Sequence, residues 1–162
     1  RMEMICGKRV LDYLNMVNDQ NHQISVKLSA KMDKTAQAVE RLQEENFRLK
    51  GQVGQLVDDM CRKEAERYAG SGSVLIFMDG MDADSVRKLA DAVTQTCQGC
   101  CAVFSGNADG SYKYAIGEKD GDLRQFTKEM NAKLNGRGGG KPFFVQGSVQ
   151  ASEKEIRNFF EQ

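Results

Sequence analysis

The residues best suited to chemistry lie in one short, basic, glycine-dense stretch from Leu134 to Val149 (LNGRGGGKPFFVQGSV). Gly136, Gly138, Gly139 and Gly140 fall within five positions, interrupted by Arg137 and followed by Lys141. Glycine tolerates positive φ, so successive N–H groups can converge on an anion. A guanidinium and an ammonium beside them would add charge for a phosphate. The same composition also suits a plain turn from helix to strand, and residue chemistry alone leaves both readings open. The spacing does not match a P-loop, which runs strand to helix and ends in Gly-Lys-Ser/Thr; here Pro142 follows Lys141. A basic stripe leads into the stretch: Arg124, Lys128, Lys133, Arg137 and Lys141, opposed only by Glu129. Arg124 and Lys128 are one helical turn apart and share a face. This is a candidate phosphate-backbone surface, although such a run also serves as an ordinary solvated face.

The other reactive residue types carry less. Cys97-Gln98-Gly99-Cys100 is a C-x-x-C. Zinc needs four ligands, and the only histidine, His22, belongs to a distant segment. A redox C-x-x-C normally opens a helix, whereas this one closes a helix and enters a strand, so buried packing is expected. Asp79, Asp82 and Asp84 cluster after a strand, where helix capping accounts for them. No nucleophile–base set and no paired carboxylates emerge, so no catalytic residue and no metal site are expected.

The elements that must hold the glycine stretch can be read on either side of it. Asp120-Gly121-Asp122 starts a helix with Leu123, Phe126, Met130 and Leu134 on one face, and Asn135-Gly136 ends it as an αL C-cap. A strand follows over Phe143–Gln146. Upstream, Val74–Met78 is a buried strand and Asp82 or Asp84 caps a helix running to about Cys97. Cys100–Phe104 is a second strand, Asn107–Gly110 a hairpin turn, and Ser111–Gly117 a third strand. Ser152 opens a last helix with a capping box. The order is β-α-β-β-α-β-α: an α/β domain with a mixed sheet over residues 74–162.

Residues 12–69 contain no proline and read as one long helix. Leu28, Thr35, Leu42, Leu49 and Leu56 recur every seven residues, and Met32, Val39, Asn46, Val53 and Met60 form a second series offset by four. These are the d and a positions of a coiled coil, and a lone Asn at an a position selects register and two strands. Gly51 and Gly54 weaken the helix by about 1 kcal/mol each, which leaves an intrachain hairpin broken near Gly51 as the alternative. Gly70-Ser71-Gly72-Ser73 reads as a flexible joint. Residues 1–11 read as the tail of a truncated upstream domain, and the chain as a fragment of a larger protein.

Composition bounds the partners. The 23 basic and 23 acidic residues cancel, so any RNA contact must come from a local patch. Five cysteines, three of them crowded together, point to a reducing, cytoplasmic setting. No apolar run is long enough to span a membrane.

The stretch Leu134–Val149 resembles the glycine-rich signature of the DHH-associated domain, found at the end of alanyl-tRNA synthetases, alanyl-tRNA editing proteins and DHH phosphoesterases. Val74–Asp79 and the following hairpin and helix occur in the same order as in that family. Arg1–Val10 (RMEMICGKRV) is similar to the last strand of the alanyl-tRNA editing domain. The resemblance implies a parent that hydrolyses mischarged alanine-type tRNA, or a synthetase, in which this region binds the tRNA outer corner and mediates dimerisation. The family's zinc ligands, a His-x-x-x-His and a Cys-x-x-x-His, have no counterpart here, so this chain is expected to be inactive and without cofactor. Phe143-Phe144 stand where synthetases more often show Asp-Met. The leading expectation is a non-catalytic module that binds tRNA through Arg124, Lys128, Lys133 and Gly136–Lys141. It would pair through Leu28, Met32, Val39, Leu42, Asn46, Leu49, Val53 and Leu56. The alternatives are a purely structural oligomerisation module and a small-nucleotide-binding domain of a DHH-type phosphoesterase.

Overall fold

A computed structural model describes residues 7–106 and 110–161. Residues 1–6 of the strand-like stretch Arg1–Val10 and most of the expected turn at Asn107–Gly110 lie outside them. The chain divides into two compact units, residues 1–54 and 55–162.

The first unit is helical. Helix α1 (Lys8–Lys27) is followed by a turn, a short 3-10 turn (Met32–Lys34) and the start of α2 (Thr35–Arg67). The expected uninterrupted helix over 12–69 is therefore broken, at Leu28–Lys31 and not near Gly51. Leu28 caps α1, and Ser29 takes a left-handed φ of 48°. Side chains fix the reversal. Ser25 Oγ donates to Ala30 O (2.7 Å), Asn21 Nδ2 donates to Met32 O (2.8 Å) and Thr35 Oγ1 donates to Asn21 Oδ1 (2.7 Å). Gly51 and Gly54 sit inside α2, which continues across them.

The second unit starts inside α2. Met60, Cys61 and Ala65 pack into its core, although residues 12–69 read as a separate helical segment. Gly70–Ser73 is pinned rather than free: Gly70 N donates to Thr96 O, Gln98 N donates to Ser71 O and Cys100 N donates to Ser73 Oγ. The sheet has five strands in the order β1-β2-β3-β5-β4. β1 (Val74–Asp79) runs parallel to β2 (Cys101–Gly106), with α3 (Ala83–Thr94) between them in the chain. β3 (Ser111–Gly117), β4 (Arg137–Lys141) and β5 (Phe144–Gln150) pair antiparallel. Helix α4 (Leu123–Lys133) precedes β4, and α5 (Glu153–Phe160) ends the chain.

Two cores flank the sheet. α3 and the end of α2 pack on one face with Ile76, Val103 and Ala115. α4 and α5 pack on the other with Phe104, Tyr114, Ile116, Val145 and Ile156. β2 is apolar at successive positions because both its faces are covered, and each side chain of this kind contributes roughly 1.5–3 kcal/mol on burial. β5 alternates instead: Val145 and Val149 are buried while Gln146, Ser148 and Gln150 are exposed. The helix caps follow the sequence. Asp82 accepts from Ser85 N, Asp122 accepts from Arg124 N, and Ser152 and Glu155 form the capping box.

Candidate nucleic-acid interface

The glycine stretch is not a loop. Arg137–Lys141 forms β4, the terminal strand of the sheet, exposed at every position and joined to β5 by a two-residue turn at Pro142-Phe143. Helix α4 ends as the composition indicates. Asn135 adopts φ 52°, and Gly136 N donates back to Asn131 O (2.8 Å), the long hydrogen bond of a Schellman ending. None of Gly136, Gly138, Gly139 and Gly140 has positive φ, so the expected concave nest of amides is not formed.

Close packing explains most of these glycines. A Cβ at Gly138 would drive into Tyr114 Oη and Gln146 O, and would come within 2.7 Å of Gly147 Cα on the facing strand. One at Gly147 would collide with Arg137 O; one at Gly140 with Phe144 O. One at Gly136 would meet Asn131 Oδ1 at 2.5 Å. Asn131 ties the region together: it accepts from Tyr114 Oη (3.1 Å) and its Nδ2 donates to Gly138 O (3.3 Å). Gly139 differs. A Cβ there would meet nothing within 4 Å.

The expected basic patch separates into two. Gly138 points its missing side chain towards Tyr114 and α4. By strand alternation Arg137, Gly139 and Lys141 face the other side, that of α3. Arg124, Lys128 and Lys133 are on exposed positions of α4. Arg124 is held by Asp122, with Nη2 and Oδ2 2.6 Å apart, and this contact draws the Asp122 carboxyl down to about 2. Lys133 Nζ lies over the Phe159 ring at 5.3 Å. Lys141 Nζ lies 5.7 Å from the centre of the Phe143 ring. Among the described residues, Arg87, Lys113, Lys128, Arg137 and Lys141 form no ion pair with an acid.

Two cations on the β4 side escaped the sequence reading. Lys113 on β3 pairs with Ser148, which pairs with Arg137, so the three share one row across the sheet. Arg87 of α3 joins Gly139, Lys141 and Gln146 around an open depression of about 340 Å³. The alternation of β5 was the available signal: it marks Gln146 and Ser148 as an exposed row, to which strand neighbours on either side must contribute.

The remaining candidates are structural. Burial drives the thiols of Cys100 and Cys101 up to about 12. Cys97 Sγ donates to Gly99 O (3.3 Å). His22 is exposed on α1. Among the described residues no group of three His, Cys, Asp or Glu side chains could hold a metal ion, and none of their helices is long and apolar enough to cross a membrane. On α2, Val39, Leu42, Leu49, Val53 and Leu56 are exposed, and Phe47 beside them is 82% exposed. Asn46 is exposed among them. Leu28 and Met32, outside α2, are half-buried at the turn.

Fold and surface together define a small α/β domain with a glycine-lined, cationic sheet edge. Residues 71–162 match the DHHA1 domain, and the chain belongs to that family. Over 95% of its length it is 24% identical to an alanine–tRNA ligase of Psychrobacter sp. (strain PRwf-1), and over 88% it is 27% identical to that of Thiobacillus denitrificans. It covers 18% of each of these relatives. The C-Ala domain of Aquifex aeolicus alanyl-tRNA synthetase matches 57% of the chain and 92% of its own length, at 19% identity and TM-score 0.48. RecJ of Thermus thermophilus shares the fold over 86% of the chain and 21% of RecJ, at 15% identity and TM-score 0.55.

Proposed function

We propose that this chain is a non-catalytic tRNA-binding and pairing module, acting within a protein that charges tRNA with alanine or hydrolyses mischarged alanine-type tRNA. The observation that carries the reading is the match to alanine–tRNA ligases through both the helical unit and the sheet unit. The surface supports it: Arg137 and Lys141 stand exposed at either end of three glycines, with no ion pair to an acid among the described residues to neutralise them. Phosphate contacts of this kind position an RNA without reading its sequence. Of the α4 cations, Arg124 is committed to Asp122, whereas Arg137 and Lys141 form no such ion pair.

A salt series of tRNA-Ala binding tests this. Binding should weaken as salt rises, and Arg137→Ala with Lys141→Ala should lower the salt slope by about one unit per charge removed. Unchanged affinity in the double variant would overturn the assignment.

The structural-pairing reading rests on a separate observation, the exposed apolar series of α2. A single apolar row of this extent on a helix is what a partner helix covers. Light scattering of the wild type against Leu42→Lys with Leu49→Lys decides it. A wild-type dimer that the variant dissociates supports pairing; a wild-type monomer removes it. Adding AMP to the RNA titration tests the small-nucleotide reading, which requires competition at the depression beside Gly139.

A further inference from the structure

We infer that RNA lies on the uncovered half of the sheet face beside α3, with Gly139 as its point of closest approach and Lys113 and Arg87 as contacts alongside Arg137 and Lys141. The inference rests on the RNA-binding reading and assigns it a surface. α3 packs over β2 and β3, and α4 packs beneath β4 and β5. The upper side of β4 and β5 is left open, with Phe143 and Phe144 as the aromatic residues at its depression. Its exposed residues are Arg137, Gly139, Lys141, Gln146, Ser148 and Gln150, with Lys113 beyond Ser148 in the same row. Adjacent strands lie about 4.8 Å apart, so Lys113 and Arg137 flank Ser148 at roughly 10 Å from each other. Asp91 is the acid in the depression next to Arg87. Cations that form no ion pair, set among amide and hydroxyl side chains, complement a sugar–phosphate backbone.

Gly139 gives the second, independent observation. Every neighbouring glycine is required by a backbone or side-chain collision, whereas Gly139 meets nothing and has no positive φ. The fold does not need glycine there, and glycine weakens a strand. A bare position in the middle of an open, cationic sheet face lets another molecule's backbone come against the sheet itself.

The test uses the whole chain and tRNA-Ala, reading binding and melting temperature together. Gly139→Val should lose most of the RNA affinity without lowering the melting temperature, since valine suits an exposed strand. Lys113→Ala should lower the salt slope by about one unit, while Lys154→Ala, exposed on α5 across the sheet, leaves it nearly unchanged. A Gly139→Val chain that melts lower overturns the inference, because glycine would then be a packing requirement. Binding that survives Gly139→Val and Lys113→Ala, or that Lys154→Ala removes instead, also overturns it and leaves RNA binding standing on another surface. No binding by the wild type removes both readings.

Discussion

Gly138→Ala and Gly139→Ala, one position apart on the same exposed strand, should change stability in opposite directions. At Gly138 the added methyl meets Tyr114 Oη, Gln146 O and Gly147 Cα at once. Two of these belong to the backbone of the facing strand and cannot rotate away. Overpacking of this kind costs about 1–3 kcal/mol. Displacing the Tyr114 hydroxyl also strains its hydrogen bond to Asn131, worth about 1 kcal/mol. The smaller freedom of alanine in the unfolded chain returns about 0.4–1 kcal/mol. The net loss is about 2 kcal/mol, or on the order of 8 °C in melting temperature for a domain of this size. At Gly139 only the unfolded-state effect remains, a gain of about 0.4–1 kcal/mol. Urea denaturation followed by far-UV circular dichroism measures both. Adding Tyr114→Phe to Gly138→Ala should recover part of the loss and no more, because Gln146 O stays in place. Two alanine variants of equal stability would refute the packing account of the glycines.

Ser152→Ala removes the capping box at the start of α5, where Glu155 Oε2 also accepts from Ser152 N (2.7 Å); a loss of about 1 kcal/mol is expected by urea denaturation. Asp122 titrates near 2 in the folded chain, below its ordinary 3.8, because Arg124 holds its charged form. Its contribution to stability is present above the ordinary value and fades as pH falls from about 4 towards 2. In Arg124→Gln the Asp122 carboxyl, followed by carbon NMR, should return towards the ordinary carboxylate range. The thiols of Cys100 and Cys101, raised to about 12, should resist a disulfide reagent at neutral pH until the chain is denatured. Rapid native labelling of Cys101 would contradict its burial.

The fold was legible wherever a local rule and a buried face agreed. The apolar runs at Val74–Met78 and Cys101–Phe104 became strands because helices cover both their sides. Asp82, Asp122, Asn135 and Ser152 terminate helices through short-range hydrogen bonds that depend on their own chemistry. The misreadings arose where the determinant is distant. Glycine has poor strand propensity, so Arg137–Lys141 reads as a loop until Gly147, Tyr114 and Asn131 are brought beside it. The turn at Leu28–Lys31 has no glycine or proline to announce it. Leu28 and Met32 happened to fit a seven-residue spacing, although side chains of Asn21, Ser25 and Thr35 close a reversal there. The division of the basic stripe could not be read for a related reason: strand alternation sends Arg137 and Lys141 away from α4, and spacing along the chain does not reveal which side of the sheet α4 occupies.

β4 also bears on how the protein avoids sticking to itself. A terminal strand presents unpaired N–H and C=O groups that can template a strand from another molecule, the usual route to sheet-to-sheet aggregation. Here Arg137 and Lys141 place like charges at both ends of the edge, so a second copy aligned in register would meet repulsion. The three glycines between them offer no side chains to form a dry, interdigitated contact, and Asn131 already occupies Gly138 O. The same residues that leave the sheet open to a charged polymer thus make it a poor seed for polymerisation, and Lys141→Val with Arg137→Val should convert it into a better one.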